Sequence, residues 1–358
     1  MKILILDDRN LYAQKFIKRF DESWQIDIVT NCSFTNKNLN ANVIVGSRRE
    51  FSVCKQLSSF YDVVLDTDSL VEEDIETILD VINTSRYILF STTQVYRFLD
   101  NRVHTEEEID ESYLREIGDA FIDCQSEPEK FYVREKIRVE FCLRRVCKVK
   151  SINYTILRIA KCYFTKDYYK DITWIKHRVL NGKKLVLHED NIKEMGAFHP
   201  IFERDLHEIV MRIMIDKRMQ NHILNIAQDQ VISMLSLASI ISRFINGDTN
   251  FEIVCIPRMD GGILDGIRIP CNSSLLVSNK ALKELYDVAF TKTEEWVSDI
   301  CRTAIETDSK LVKSKSEKIV DNEYDKYRER LKSHLEKALT EQNEKPKKGS
   351  IINIYENV

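Results

Sequence analysis

The chain has 358 residues, a net charge of −4, 43% apolar residues and 31% charged residues. That length holds one large domain or two ordinary ones with ample core, and the composition excludes a disordered or fibrous chain. The acidic balance argues against a broad nucleic-acid-binding surface, which is usually basic, and no apolar run approaches the roughly 20 residues needed to span a bilayer.

Residues 1–6 form a continuous apolar run that leads straight into Asp7-Asp8, which predicts a buried first strand. Helical spacing follows in Leu11, Phe16, Ile17 and Phe20. Further strands are predicted at 25–29, 43–45, 62–66, 87–90, 154–158 and 222–227, with helices at 50–58, 75–81 and 132–145. Ser233 is a candidate N-cap for an apolar-striped helix over 233–244. Residues 251–255 and their surroundings, together with 174–200, read as a smaller lid or substrate region. A long charged helix is predicted over 304–345, with a narrow seam of Val320, Tyr324, Tyr327, Leu331 and Ala338. The basic segment Lys345-Pro346-Lys347-Lys348 and the aliphatic tail Ile351-Ile352-Asn353-Ile354-Tyr355 close the chain.

Repeated strand–helix units with apolar strands imply an α/β fold: a Rossmann-type, doubly wound parallel sheet with right-handed crossovers. The predicted division is a nucleotide-binding domain at 1–173 and 216–248 and a smaller C-terminal substrate region at 174–215 and 249–303. A helical C-terminal extension at 304–345 and a tail at 346–358 follow. The nine cysteines lack framework or CxxC spacing, so they read as reduced thiols in a cytoplasmic protein. No HExxH or paired Cys/His cluster suggests zinc, and no metal is expected. Glycine is scarce: the first of nine is Gly46.

Tyr132 and Lys136 stand four apart, downstream of Ser91-Thr92-Thr93-Gln94-Val95-Tyr96. The apolar first strand, Asp62-Val63-Val64-Leu65-Asp66, Tyr154-Thr155-Ile156-Leu157-Arg158, Arg204-Asp205-Leu206-His207-Glu208 and Asn225-Ile226-Ala227 accompany them in order. Over residues 1 to about 303 this set resembles an extended or atypical short-chain dehydrogenase/reductase of the NAD-dependent epimerase/dehydratase type. The resemblance implies NAD or NADP as cofactor and Thr92, Tyr132 and Lys136 as catalytic residues. Tyr132 would exchange a proton with a substrate hydroxyl or carbonyl while hydride moves to or from the nicotinamide. Lys136 would hold the nicotinamide ribose and lower the Tyr132 pKa from its usual value near 10. Thr92 would orient the substrate oxygen.

By the same resemblance, cofactor contacts fall to Arg9, Asn10, Leu11, Arg48, Asp66 and Lys136. Substrate contacts fall to Thr93, Gln94, Lys161 and His199. Thr93 and Gln94 stand where the family's dehydratases carry Asp and Glu, which argues against a nucleotide-sugar 4,6-dehydratase. Lys161 replaces a substrate-contacting Asn and could bind a phosphate or carboxylate. His199 reads either as a ligand contact or as a packed or capping residue.

The family's glycines have become Asp7, Asp8, Asn10 and Ala13. Those glycines permit the tight turn and close backbone approach to pyrophosphate. A carboxylate about 5 Å from a phosphate charge costs roughly 3 kcal/mol at an effective dielectric near 20. Asp7 could equally cap the following helix. The second strand ends in Thr30-Asn31, without a ribose-binding acid, and Ser47 replaces an adenine-side Asp. Arg48 and Arg49 could hold a phosphate, or be solvated surface charge. Asp66 and Asp68 bring further acid to the same edge, and with Asp7 and Asp8 could form a cation site.

Two readings follow. One is an oxidoreductase or epimerase acting through Thr92, Tyr132 and Lys136 on a small polar or nucleotide-sugar-like biosynthetic substrate. The other is a pseudoenzyme of the same fold that has lost normal NAD(P) binding and serves as a binding or scaffold subunit. Residues 304–358 would then provide a homodimer or partner interface. A third resemblance, to chloroplast stem-loop RNA-binding relatives of the fold, runs against the acidic balance. No membrane association is expected.

Overall fold

The computed structural model describes residues 1–9, 12–33, 41–99, 102–120, 128–165, 171–188, 196–216, 218, 221–256 and 275–307. Asn10, Leu11 and most of the predicted 304–345 helix, with its seam and the tail, lie outside these.

Seven parallel strands build the central sheet. They are β1 (Lys2–Leu6), β2 (Gln25–Thr30), β3 (Asn42–Val45), β4 (Phe60–Asp66), β5 (Asn83–Thr92), β7 (Asn153–Ile159) and β11 (His222–Ile226), in the spatial order β11-β7-β5-β4-β1-β2-β3. β1 shows why these sequences suit such a sheet. Ile3 and Ile5 enter one core with Phe16 and Phe90, while Leu4 and Leu6 enter the other with Ile75 and Leu143. A strand covered on both faces must be apolar at every position, and Ile3 to Leu6 are fully buried.

Helices cover both faces. α1 (Ala13–Phe16) is a single turn that continues as a 3₁₀ turn, Ile17–Arg19. α2 (Phe51–Cys54) is also one turn, shorter than the predicted 50–58 helix. The chain must reverse there: the Ser58 N–H donates to the Tyr61 hydroxyl at 3.0 Å and β4 begins at Phe60. α3 (Glu72–Val81) and α4 (Glu111–Ala120) precede α5 (Pro128–Lys150), which runs longer than predicted at both ends. α5 serves both cores, with Val133 and Ile137 in one and Val139 and Leu143 in the other.

Smaller parallel pairs surround the sheet. β6 (Val103–His104) pairs with β13 (Leu276–Val277), β8 (Lys161–Tyr163) with β10 (Pro200–Phe202), and β9 (Leu185–His188) with β12 (Ile253–Ile256). A third core joins α6 (Asp171–Leu180), α8 (Met234–Asn246) and α10 (Thr293–Thr307) around the fully buried Trp296. Ser233 caps α8, accepting the Ser236 N–H at 3.1 Å, and Gly247 ends it at φ 80°, a conformation that suits glycine. α7 (Glu203–Ile215) and α9 (Lys280–Leu285) complete the described elements.

The chain leaves β1 toward β2 and β3, then crosses back to β4. That reversal makes a crevice beyond the carboxyl ends of β1 and β4, the place where open α/β sheets bind ligands. Asp7 and Asp8 follow β1, and Asp66 ends β4.

Candidate functional site

Asp7 is fully buried at the end of β1. Its Oδ2 accepts the Tyr12 N–H at 2.8 Å and the Ala13 N–H at 2.5 Å. The carboxylate thus takes the backbone donors that open α1. Helix-opening donors of this kind are what a bound phosphate uses. Burial pushes the Asp7 carboxyl up to about 6, its bonds to Ala13 and Tyr12 pull down, and the neighbouring Asp68 carboxyl adds to the rise.

Asp68 is held in turn by Arg9: Nε donates at 2.7 Å, the backbone N–H at 3.1 Å, and Nη2 also bonds the carboxylate. Arg9 therefore ties the loop after β1 to the loop after β4. It does so from an exposed position, with 62% of its side chain accessible.

Arg48 does not lie on the surface. It is 1% exposed and points inward between two carboxylates. Nη1 donates to Asp66 Oδ1 at 2.9 Å and to Ser69 Oγ at 2.8 Å, and Nη2 lies 3.2 Å from Asp8. Asp66 also accepts the Tyr87 hydroxyl at 2.5 Å, the Ser69 hydroxyl and the backbone N–H groups of Asp68 and Ser69. Burial works to raise the Asp66 carboxyl, but Arg48 and these donors hold it below its ordinary range. Burial raises Asp8 despite Arg48. The four acids are thus engaged by arginines, hydroxyls and backbone donors, and among the described residues no group of three or more His, Cys, Asp or Glu could hold a metal ion. Arg49 pairs with Asp74 at 2.7 Å.

α5 brings Tyr132 and Lys136 to the neighbouring strand ends, because residues four apart share a helix face. The Thr92 side chain at the end of β5 lies beside Tyr132 and works to lower its phenol pKa. Lys136 turns inward instead: Nζ donates to the carbonyls of Ser69 at 2.7 Å and Phe90 at 3.2 Å. Burial pulls its ammonium down to about 8. Tyr132 is 38% exposed as a residue; packing around its phenol raises it, and the cation that opposes the rise is Arg9. The activation expected from Lys136 is thus supplied in part by Arg9 and does not bring the phenol below its ordinary value.

On the substrate side, Thr93 is buried and the Gln94 amide oxygen accepts from Arg97 at 3.2 Å. Lys161 forms an ion pair with Asp171. His199 Nδ1 accepts the Val277 N–H at 3.1 Å, a packing role, and burial lowers its pKa.

Sequence reasoning missed the layer behind this face. Arg158, fully buried on β7, donates to Glu140 through Nε at 3.1 Å and Nη2 at 2.7 Å, and through Nη1 to the Tyr96 hydroxyl at 2.7 Å and the Glu106 carbonyl at 2.8 Å. Ser91 donates to Glu140 at 2.5 Å, and the Tyr96 hydroxyl donates to Asn225 at 2.9 Å. A signal existed, since Glu140 stands four residues after Lys136 and shares its face.

The Asp7 carboxyl gives a signed prediction. Its folded value near 6 lies above the ordinary 3.8. Between those values the folded state binds more protons than the unfolded one, so its contribution is present at low pH and is lost as pH rises through 6. Relative to the native protein, Asp7→Asn should gain about 2–3 kcal/mol between pH 4 and pH 7. Urea unfolding at both pH values reads the change. A difference that does not vary with pH would show that Asp7 ionises freely.

A seven-stranded parallel sheet with its crevice at the β1/β4 reversal is the fold of the short-chain dehydrogenases/reductases and NAD-dependent epimerases/dehydratases. No protein-family model and no curated protein sequence matches the chain. Solved structures do. UDP-glucose 4-epimerase of Thermotoga maritima is 14% identical with a TM-score of 0.65, the match covering 86% of this chain and 99% of that one. dTDP-glucose 4,6-dehydratase of Bacillus anthracis, in complex with NAD, is 14% identical with a TM-score of 0.65, covering 87% and 99%. UDP-glucuronic acid 4-epimerase of Bacillus cereus, in complex with NAD, is 13% identical with a TM-score of 0.63, covering 88% and 100%. Among the described residues no helix is long and apolar enough to cross a membrane.

Proposed function

We propose that this chain is a binding or scaffold protein on the epimerase/dehydratase fold and that it does not take NAD or NADP in the ordinary way. One observation carries the reading: the buried Asp7 carboxylate accepts the N–H groups of Tyr12 and Ala13. A pyrophosphate at that place would have to displace a fully buried carboxylate. It would also meet Asp68, and the Arg9 charge that could offset this is already paired with Asp68. Arg48, a further cation of the crevice, is enclosed by Asp8 and Asp66. Residues 304–358 would supply the contact with a second copy or another protein, and the scattered cysteines, read as reduced thiols, support a cytoplasmic location.

Calorimetric titration with NAD, NADH, NADP and NADPH up to about 1 mM tests this, and no saturable heat is expected. A Kd below about 100 µM for any of the four would overturn the reading. The nearness of the Thr92 side chain to the Tyr132 phenol favours a second reading: an oxidoreductase or epimerase acting on a small polar or nucleotide-sugar-like substrate. On that reading a dinucleotide binds, and Tyr132→Phe abolishes turnover while leaving its affinity nearly intact.

A further inference from the structure

A cleft of about 740 Å³ lies away from this crevice, along the β11 edge of the central sheet. Phe141 and Arg144 of α5 line one side, and Ala281, Glu284 and Leu285 of α9 line another. Asn221 to Leu224 form the sheet edge between them, and Glu106, Glu107, Asp110, Glu111 and Arg115 complete the rim.

Two features of this cleft bear on what could fill it. The Asn225 N–H points out of the sheet and is taken by Glu106 at 2.8 Å. By the two-residue period of a strand, the Ile223 N–H points the same way, into the cleft. The rim also carries five carboxylates against two guanidiniums, those of Arg115 and Arg144. An exposed sheet edge pairs with an extended segment through main-chain hydrogen bonds, and alternate side chains of that segment fill pockets beside it.

We propose that the C-terminal segment of the same chain adds to this edge. Ile351-Ile352-Asn353-Ile354-Tyr355 would pair along His222 to Leu224, and Lys345, Lys347 and Lys348 would meet the acidic rim. The tail is rich in β-branched residues, which suit a strand. Ile352 and Ile354 fall on one side of it and reach the apolar wall of Ile109, Phe141 and Leu285. The charge signs match. The roughly 40 residues between α10 and the tail span about 60 Å even if wholly helical, enough to cross a domain of this size. This goes beyond the proposed function and touches none of the dinucleotide crevice. It holds the aliphatic end in its own chain and leaves the charged stretch before it for partners.

Full-length protein tests the proposal in two measurements. Zero-length carbodiimide crosslinking of a 1:1 mixture of ¹⁴N- and ¹⁵N-labelled chains should join Lys347 or Lys348 to Glu107, Glu111 or Glu284 within chains of one label. Ile352→Asp with Ile354→Asp should speed amide exchange at Ile223 by about tenfold or more. Crosslinks between differently labelled chains would show that a second copy takes the cleft and overturn the proposal. So would exchange unchanged by the double substitution.

Discussion

Replacing Arg158 with Met should lower the stability of the folded chain by about 3–5 kcal/mol, the usual cost of stranding a buried charge. Glu140 would keep only the Ser91 hydroxyl among the partners it has on the sheet, in a place where its side chain is 2% exposed. The Tyr96 hydroxyl and the Glu106 carbonyl would each lose a guanidinium donor. Removing both charges, as in Arg158→Met with Glu140→Leu, should recover much of the loss, because a buried pair is costly mainly when broken. Urea unfolding of the two variants reads the difference. A single variant within about 1 kcal/mol of the native protein would show that water reaches this pair and solvates it.

Arg48→Met carries the second large effect, again about 3–5 kcal/mol at pH 7. Asp66 would keep Tyr87, Ser69 and two backbone donors but no cation bonded to it, and Asp8 would lose its guanidinium. The pH dependence has a fixed sign. In the native protein Arg48 holds Asp66 below its ordinary 3.8, so the pair's contribution is present above that value and is lost as pH falls through the folded one. The deficit of Arg48→Met should therefore shrink as pH approaches about 3, where Asp66 can take a proton. Arg48→Lys should restore little, since one ammonium cannot reproduce a fork shared by Asp66, Ser69 and Asp8. A deficit that grows in acid would mean that Asp66 is not the group left unpaired.

Both predictions bear on function through the same physics. A dinucleotide crevice needs cations and backbone donors held open for phosphate. Here Asp7 takes the donors of Tyr12 and Ala13, Asp68 takes Arg9, and Asp66 with Asp8 takes Arg48. Opening the crevice to a ligand would break contacts of the kind these variants measure.

The central sheet was legible in the amino-acid order alone. Apolar runs such as Ile3 to Leu6, separated by helical stretches, leave a parallel sheet covered on both faces as the arrangement that buries every position. Helical spacing also put Tyr132 and Lys136 on one face, whereas Thr92 beside Tyr132 was implied by the family resemblance alone. The sequence could raise Asp7 as a cap but could not choose the cap over exposed repulsion. Nor could it say that Arg48 turns inward, that Lys136 spends its donors on the Ser69 and Phe90 carbonyls, or that Glu140 lies against Arg158. Those outcomes depend on which charges β1, β4, β5 and β7 bring within hydrogen-bond reach, across separations such as the 67 residues between Ser69 and Lys136. Pairing over such distances is set by tertiary packing, because only the folded sheet excludes water and makes an unpaired charge costly.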